Sequence, residues 1–342
     1  MATDRTGVIT RGVGGLYCVR FRDEEEKEYL CRARGIFRLE NITPTVGDRV
    51  VIEPADNVQD DCLKDPETPG EKRKSDKGAD VDWVISEIKE RDNILIRPPL
   101  ANLDYLFAVV PAASPEPDLL TLDKLTVISE NASIETVILV NKCDLDRKKA
   151  DEIEKIYSKA GFVTFTVSGE TGEGIDKLSS FVSDISSRSD GRFVSGAFAG
   201  VSGAGKSTIM TSVFPNLNLK TGHVSYKNLR GRHTTRHVEL VPVKVHDGVF
   251  WLADTPGFSM LDFARFDFFP YEELPYGFRE FGDFIGKCRY RKCTHLKEEG
   301  CAVIDQVKNG TIPESRHQNY IKIFEEQRSI PQWKRKKESE LW

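Results

Sequence analysis

The sequence lacks the features that would set it in a membrane, outside the cell or on a uniformly cationic surface. No run of about 18 apolar residues occurs, so no transmembrane helix is expected. The opening residues, MATDRTGVITRG, hold no apolar core of the kind a secretory signal needs, and a cytoplasmic protein without a membrane partner is expected. Positive charge is not in excess: 49 Lys and Arg face 54 Asp and Glu, for a net charge of −5. Any contact with nucleic acid must then come from local basic patches. The seven cysteines are odd in number and three crowd near the C-terminus, which argues against a disulfide framework and for metal ligation plus buried free thiols. No internal repeat is present. Segment 60–80, rich in Lys, Asp, Glu and Pro, reads as a loop inserted before a last strand at 83–88.

What is present is a chain of 342 residues, room for two or three domains at roughly 100–200 residues each. Residues 1–95 carry short alternating runs at 8–11, 16–21, 29–33, 49–53 and 83–88, split by Gly-rich or charged turns. That spacing predicts a five-stranded barrel of the OB type. Arg20, Arg22, Arg32 and Arg34 alternate along its strands. From these residues alone they read as a solvated exterior, with an RNA-facing surface as the alternative.

From residue 96 to 270 the pattern changes to buried strands at 105–110, 135–140, 162–167 and 193–199, with helices expected at 119–131 and 150–161. This is the alternation of a doubly wound α/β domain. Runs 237–245 and 249–254 flank a His-Asp-Gly turn and read as an antiparallel hairpin. Residues 271–342 are aromatic, basic and cysteine-bearing, and end in a WKRKK run at 333–337.

Gly200, Val201, Ser202, Gly203, Ala204, Gly205, Lys206 and Ser207 spell G-x-x-x-x-G-K-S between a strand and a helical run that begins at Thr208. Glycines let backbone N–H groups turn inward to cradle phosphates. Lys206 would reach the β- and γ-phosphates, and Ser207 would place its hydroxyl on Mg²⁺. Asp254-Thr-Pro-Gly257 fits D-x-x-G, with the Asp on the Mg²⁺ shell through water and the Gly N–H on the γ-phosphate. Asn141-Lys142-Cys143-Asp144 fits N-K-x-D. The Asp144 carboxylate can accept from guanine N1–H and the 2-amino group together, a donor pair adenine lacks. Asn141 would help hold the base edge and the loops around it, and the Lys142 stem would lie on the base. Val167 and Ser168 follow another strand and would offer backbone to guanine O6. Each element ends a predicted strand, where α/β folds bind ligands. N-K-x-D and Ser168 precede the phosphate loop and D-x-x-G comes last, so the GTPase domain is circularly permuted.

Cys288-x4-Cys293-x-His295-x5-Cys301 gathers three thiols and one imidazole within 14 residues, the donor set of a closed, structural Zn²⁺ site. Cys18, Cys31, Cys62 and Cys143 are dispersed and read as incidental.

These motifs, with Arg32-Ala-Arg-Gly35, Gly47-Asp48, Ala101-Asn102-Leu103-Asp104, Gly231-Arg-His-Thr-Thr235 and Gly300-Cys301-Ala-Val303, resemble the RsgA (YjeQ) family of circularly permuted, ribosome-dependent GTPases across nearly the whole length. The resemblance implies an OB barrel, a permuted GTPase domain and a zinc domain, and a monomer acting in late maturation of the small ribosomal subunit and its rRNA. Ala204 and Thr211 stand where the family usually has Val and Asn; neither departure removes a phosphate or metal ligand. Phe258 directly follows Gly257 and no Gln is near, so the group that orients the attacking water must come from elsewhere. His233, in the candidate first switch, is the expected supplier, with Thr234 or Thr235 completing the Mg²⁺ shell. Two other readings compete. One is a nucleotide-gated RNA-binding placeholder or translation factor with negligible turnover. The other is a P-loop kinase or ATPase, with which Asp144 conflicts.

Overall fold

The computed structural model describes residues 6–22, 24–40, 42–55, 81–96, 99–188, 192–215, 238–246, 248–254 and 271–330. The 60–80 loop, the basic tail, Cys62, His233, Thr234, Thr235, Gly257 and Phe258 lie outside the described residues.

β1 (Thr6–Val13), β2 (Leu16–Phe21), β3 (Glu24–Ala33), β4 (Arg49–Pro54) and β5 (Trp83–Ile88) lie in the order β1-β2-β3-β5-β4, and β4 returns to pair with β1. The sheet is thereby a closed barrel. Alternation puts Ile9, Val19, Cys31, Val50 and Ile85 in its interior, all at zero exposure. A one-turn α1 (Ile36–Leu39) precedes β4. On the exterior, Arg20 pairs with Glu28 at 2.7 Å and Arg34 with Glu53 at 3.4 Å, so two of the four barrel arginines are already neutralised. The small hairpin β6 (Ile94–Ile96) and β7 (Pro99–Ala101) leads into the second unit.

There β8 (Tyr105–Pro111), α2 (Leu119–Asn131), β9 (Glu135–Asn141), α3 (Arg147–Lys159), β10 (Val163–Thr166), α4 (Ile175–Ser187), β11 (Val194–Ala199) and α5 (Lys206–Val213) alternate as expected. α3 starts three residues earlier than the pattern suggests, because the Asp146 carboxylate accepts from Lys149 N–H at 2.9 Å and caps it. It also stops earlier, before Gly161 at φ +90°. The hairpin strands are β12 (Glu239–Val245) and β13 (Gly248–Asp254). The sheet order is β10-β9-β8-β11-β13-β12, parallel except for β12. Apolar side chains fill both faces, as such a sheet requires.

Sequence reading treats the barrel and this sheet as separate units, yet Arg11 of β1 registers with Glu239 of β12. One eleven-stranded sheet runs through both.

Beyond 270, 3₁₀ segments Tyr271–Gly277 and Arg279–Phe284 lead to the cysteine-bearing loop, then α6 (Ala302–Lys308) and α7 (Glu314–Ser329). Their apolar cluster includes Val127 of α2, so this region is docked on the GTPase unit through a shared core. Backbone approach there is close: a Cβ on Gly277 would sit 2.7 Å from a Val127 methyl. Among the described residues no helix is long and apolar enough to cross a membrane.

Candidate nucleotide site and metal cluster

The parallel strands deliver their loops to one edge. In sheet order these are Ser168 after β10, Asn141 at the end of β9, Ala112 after β8, Gly200 after β11 and the main chain of Asp254 at the end of β13. Connections leave β8 and β11 in opposite directions, and the crevice that opens at such a point is where α/β sheets bind ligands.

Asn141, 2% exposed, holds the crevice together. Its Nδ2 donates to the Ala204 carbonyl at 2.8 Å, and its Oδ1 accepts from Gly169 N–H at 3.1 Å. One amide thus ties the phosphate loop to the loop after β10. Gly205, at φ +94°, leaves room for it: a Cβ there would lie 2.1 Å from Asn141 Nδ2. Lys142 Nζ donates to the carbonyls of Gly203, at 2.7 Å, and Ser114. Ser212 Oγ of α5 donates to the Gly169 carbonyl at 3.1 Å, and Thr208 packs on Gly169, so the helix is fixed to the same loop.

Lys206 folds back on its own loop, donating to the Gly200 and Val201 carbonyls at 2.8 and 3.0 Å. Burial lowers its pKa from the ordinary lysine value, so an ammonium here gains from an anionic partner. Ser207 and Asp144 are exposed, with the Ser207 hydroxyl at the start of α5 and Asp144 after β9. Ser202 and Gly203 are exposed at the loop tip, while Val201 is half-buried. Val167 and Ala204 are fully buried, and Val167 N–H donates to the Val140 carbonyl at 2.8 Å. The Ser168 hydroxyl accepts from Thr171 N–H at 3.1 Å and shapes its own loop. The Ser114 carbonyl is a member of the site that the motifs did not reveal. It is a backbone group, and only its place in the loop after β8 could have pointed to it.

Two cavities, of about 190 and 580 Å³, lie at the barrel seam and beside the starts of β8, β9 and β11. Neither is lined by the nucleotide motifs.

The C-terminal donors converge. Cys288, Cys293, His295 and Cys301 place one ligand atom each within 4.8 Å of one another. Cys288 Sγ lies 3.8 Å from Cys301 Sγ, and His295 Nδ1 lies 3.5 and 3.3 Å from the two sulfurs. A tetrahedral ion bonded at about 2.3 Å to sulfur and about 2.0 Å to nitrogen has S···S edges of ~3.8 Å and S···N edges of ~3.5 Å, so the cluster could hold zinc. Burial, foremost, and the neighbouring thiols push Cys293 up to about 12, while burial lowers His295 and favours its neutral, ligating form. Outer groups fix the loop. Glu298 accepts from the N–H groups of Thr294, Leu296 and Lys297 at 2.8, 2.9 and 3.0 Å and from the Thr294 hydroxyl. From α7, His317 Nε2 and Tyr320 Oη reach the carbonyls of His295 and Thr294 at 2.8 and 2.6 Å.

Sequence reading missed what seats this region on the GTPase unit. Arg316 of α7 is 1% exposed and donates to Asp123 of α2 at 2.6 Å and to both oxygens of Glu280 at 2.7 and 3.0 Å. Arg279 donates to Glu130 and to the Gly161 carbonyl, with its guanidinium 4.2 Å from the Phe162 ring centroid.

Comparison with known proteins agrees with this geometry. The RsgA GTPase family profile matches residues 88–264, and the RsgA N-terminal domain profile matches residues 6–60. A small ribosomal subunit biogenesis GTPase RsgA of Ruminiclostridium cellulolyticum is 36% identical over 331 residues, spanning 97% of this chain and 96% of that protein. Its counterpart in Moorella thermoacetica is 37% identical over 320 residues, spanning 94% and 96%. Among solved structures, YjeQ from Thermotoga maritima superposes with a TM-score of 0.71 at 31% identity, covering 96% of this chain and 99% of that one. YloQ, a circularly permuted GTPase, superposes at 0.68 and 30% identity, covering 97% and 98%.

Proposed function

The chain belongs to the RsgA GTPase family, whose members are GTP hydrolases, and from that premise we propose that it binds the small ribosomal subunit and its rRNA and hydrolyses GTP during late maturation of that subunit. The reading divides it into a barrel (1–95), a GTPase unit (96–270) and a zinc unit (271–342), acting as a cytoplasmic monomer. The observation that supports it best is the Asn141 clamp, which joins the phosphate loop to the base loop at the strand ends.

In this reading guanine N1–H and its 2-amino group donate to Asp144, the Lys142 stem covers the base, and main chain at Val167 and Ser168 meets O6. Main-chain N–H groups from Gly200 to Thr208 cradle the phosphates, and Lys206 exchanges its two loop carbonyls for β- and γ-phosphate oxygens. Ser207 and Thr235 would hold the Mg²⁺ that accompanies GTP, whose charge offsets the charge on the phosphates. Asp254 would support that ion's charge, and Gly257 N–H would meet the γ-phosphate. His233 orients the attacking water, and Thr234 or Thr235 closes the first switch. Cys288, Cys293, His295 and Cys301 would hold one structural zinc, which would supply cross-linking in place of a larger core.

Phosphate release measured with and without purified small subunits tests the reading. Slow turnover alone and strong stimulation by subunits are expected, and no stimulation would leave the RNA-binding placeholder instead. Co-sedimentation with subunits should be stronger with a non-hydrolysable GTP analogue than with GDP. Reversing Arg289, Arg291 and Lys292 to Glu should weaken it without changing GTP affinity.

A further inference from the structure

Lys287-Cys-Arg-Tyr-Arg-Lys292 carries four cations and one aromatic ring in six residues, with no acid among them. All four cations are exposed, and among the described residues none is in an ion pair with a carboxylate. Solvation alone explains exposed Lys and Arg. It does not explain Tyr290, which is 49% exposed and packs on no other ring among the described residues. The Arg289 guanidinium lies over this ring, 5.7 Å from its centroid.

The loop that carries the ring is held in place. Cys288 and Cys293 bracket the loop as members of the metal cluster. Arg289 N–H donates to the Gly300 carbonyl at 2.9 Å, which ties the loop to the neighbour of Cys301. An aromatic side chain that leaves half its surface in water, on a tethered loop whose four cations have no carboxylate partner among the described residues, matches one kind of partner well. It suits a polyanion whose flat bases are unstacked and free to cover the ring. A duplex keeps its bases paired and stacked, and an acidic peptide offers charge without flat rings.

We propose that Tyr290 is a stacking platform for an unpaired base of single-stranded RNA, with Lys287, Arg289, Arg291 and Lys292 neutralising the flanking phosphates. The choice of RNA over DNA rests on the ribosomal reading above; the stacking site itself does not.

The test uses the full-length, zinc-loaded protein and an unstructured RNA oligonucleotide of about 12 residues, with affinity read by fluorescence anisotropy at several salt concentrations. Tyr290→Ala should weaken binding about 5- to 150-fold, the range expected for one base–aromatic stack, and leave the salt slope unchanged. Tyr290→Trp should retain binding. Arg291→Gln should instead reduce the slope by about 0.7. A 5-iodouridine-substituted oligonucleotide should photocrosslink at residue 290. Zinc content and GTP affinity equal to the parent's establish that the variants fold. Affinity of Tyr290→Ala within twofold of the parent, or equal losses for duplex and single strand, would overturn the site. Co-sedimentation with small subunits is scored separately: subunit binding that persists when the oligonucleotide tests fail removes the stacking site and leaves the proposed function standing.

Discussion

Replacing Arg316 with Met should unseat the C-terminal region from the GTPase unit. The wild-type guanidinium is buried with two carboxylates, Asp123 and Glu280. It also donates to Thr126 Oγ1 at 3.0 Å and lies 4.7, 5.3 and 5.5 Å from the ring centroids of Phe278, Phe162 and Tyr157. Met fills much of the volume but leaves two acids buried without a cation. Breaking a buried pair from one side costs about 3–5 kcal/mol. That is a large share of a typical domain stability of about 5–15 kcal/mol, and it raises the detached population roughly 150- to 5,000-fold. The pH dependence has a definite sign. Burial already pushes Asp123 above its ordinary 3.8, while Arg316 and the hydroxyl and amide of Tyr157 and Asn319 pull it back. Without the cation its folded pKa rises further. A carboxyl with a raised folded pKa favours the folded state below its unfolded value and loses that stability as pH climbs towards the folded value. The defect in Arg316→Met should therefore be small near pH 4 and grow towards neutrality. Amide hydrogen exchange of α7 and the 3₁₀ segments, followed from pH 5 to 8, reads this directly. Adding Asp123→Asn and Glu280→Gln should recover part of the loss. Unchanged α7 protection in Arg316→Met, or a defect that shrinks as pH rises, would refute the argument.

Asp144→Asn should lower GTP affinity by several kcal/mol, since two hydrogen bonds to a charged acceptor are lost at about 1.5–3 each, and should improve binding of xanthosine triphosphate; nucleotide titration checks both. His233→Ala should keep GTP affinity and lose subunit-stimulated phosphate release, measured in single-turnover assays. Cys293→Ser, or a strong chelator, should release the metal and unfold mainly the region after residue 271 while GTP binding survives; elemental analysis should find one zinc per chain in the parent and none in the treated protein. Burial would raise Glu298, but its hydrogen bonds to Thr294 and the loop N–H groups hold it at about 2 against an ordinary 4.5. Its contribution is present above pH 4.5 and fades as pH falls towards 2, so the zinc-release difference between Glu298→Gln and the parent should be full at pH 7 and shrink in acid.

The parts of this molecule legible in its sequence share a physical property: they are defined by a few consecutive residues. The phosphate loop needs glycines at fixed offsets. Asp144, the proposed base reader, needs a strand just before it. The metal donors sit within 14 residues, so local geometry nearly determines their convergence. Strands β2 and β5 and helix α2 were readable to the residue because burial imposes a period on a short run. What could not be read depends on pairing across distance. Asp123 and Arg316 stand 193 positions apart, and neither residue's neighbours announce a buried charge. Asp123 looks like an ordinary polar position on an exposed helix until α7 covers it. α7 itself shows weak periodicity, because its buried face carries Arg316, His317, Asn319 and Gln327 among its apolar residues. Arg316 and Asn319 meet α2 and His317 meets the metal loop, so the feature that hid the helix is the one that seats it. The joining of barrel and GTPase sheet was hidden for the same reason. Among the described residues the strands register at Arg11 with Glu239, beside a shared apolar cluster that runs from the barrel to Leu240 and Trp251, and strand edges carry no sequence label for the partner they will find. In a permuted GTPase this matters: β12 follows the segment proposed to hold the first switch, and its far edge is paired to the barrel, while the region after residue 270 is bolted to α2. The order of motifs reveals the permutation, and only the long-range contacts show which flanking unit meets which part of the nucleotide machinery.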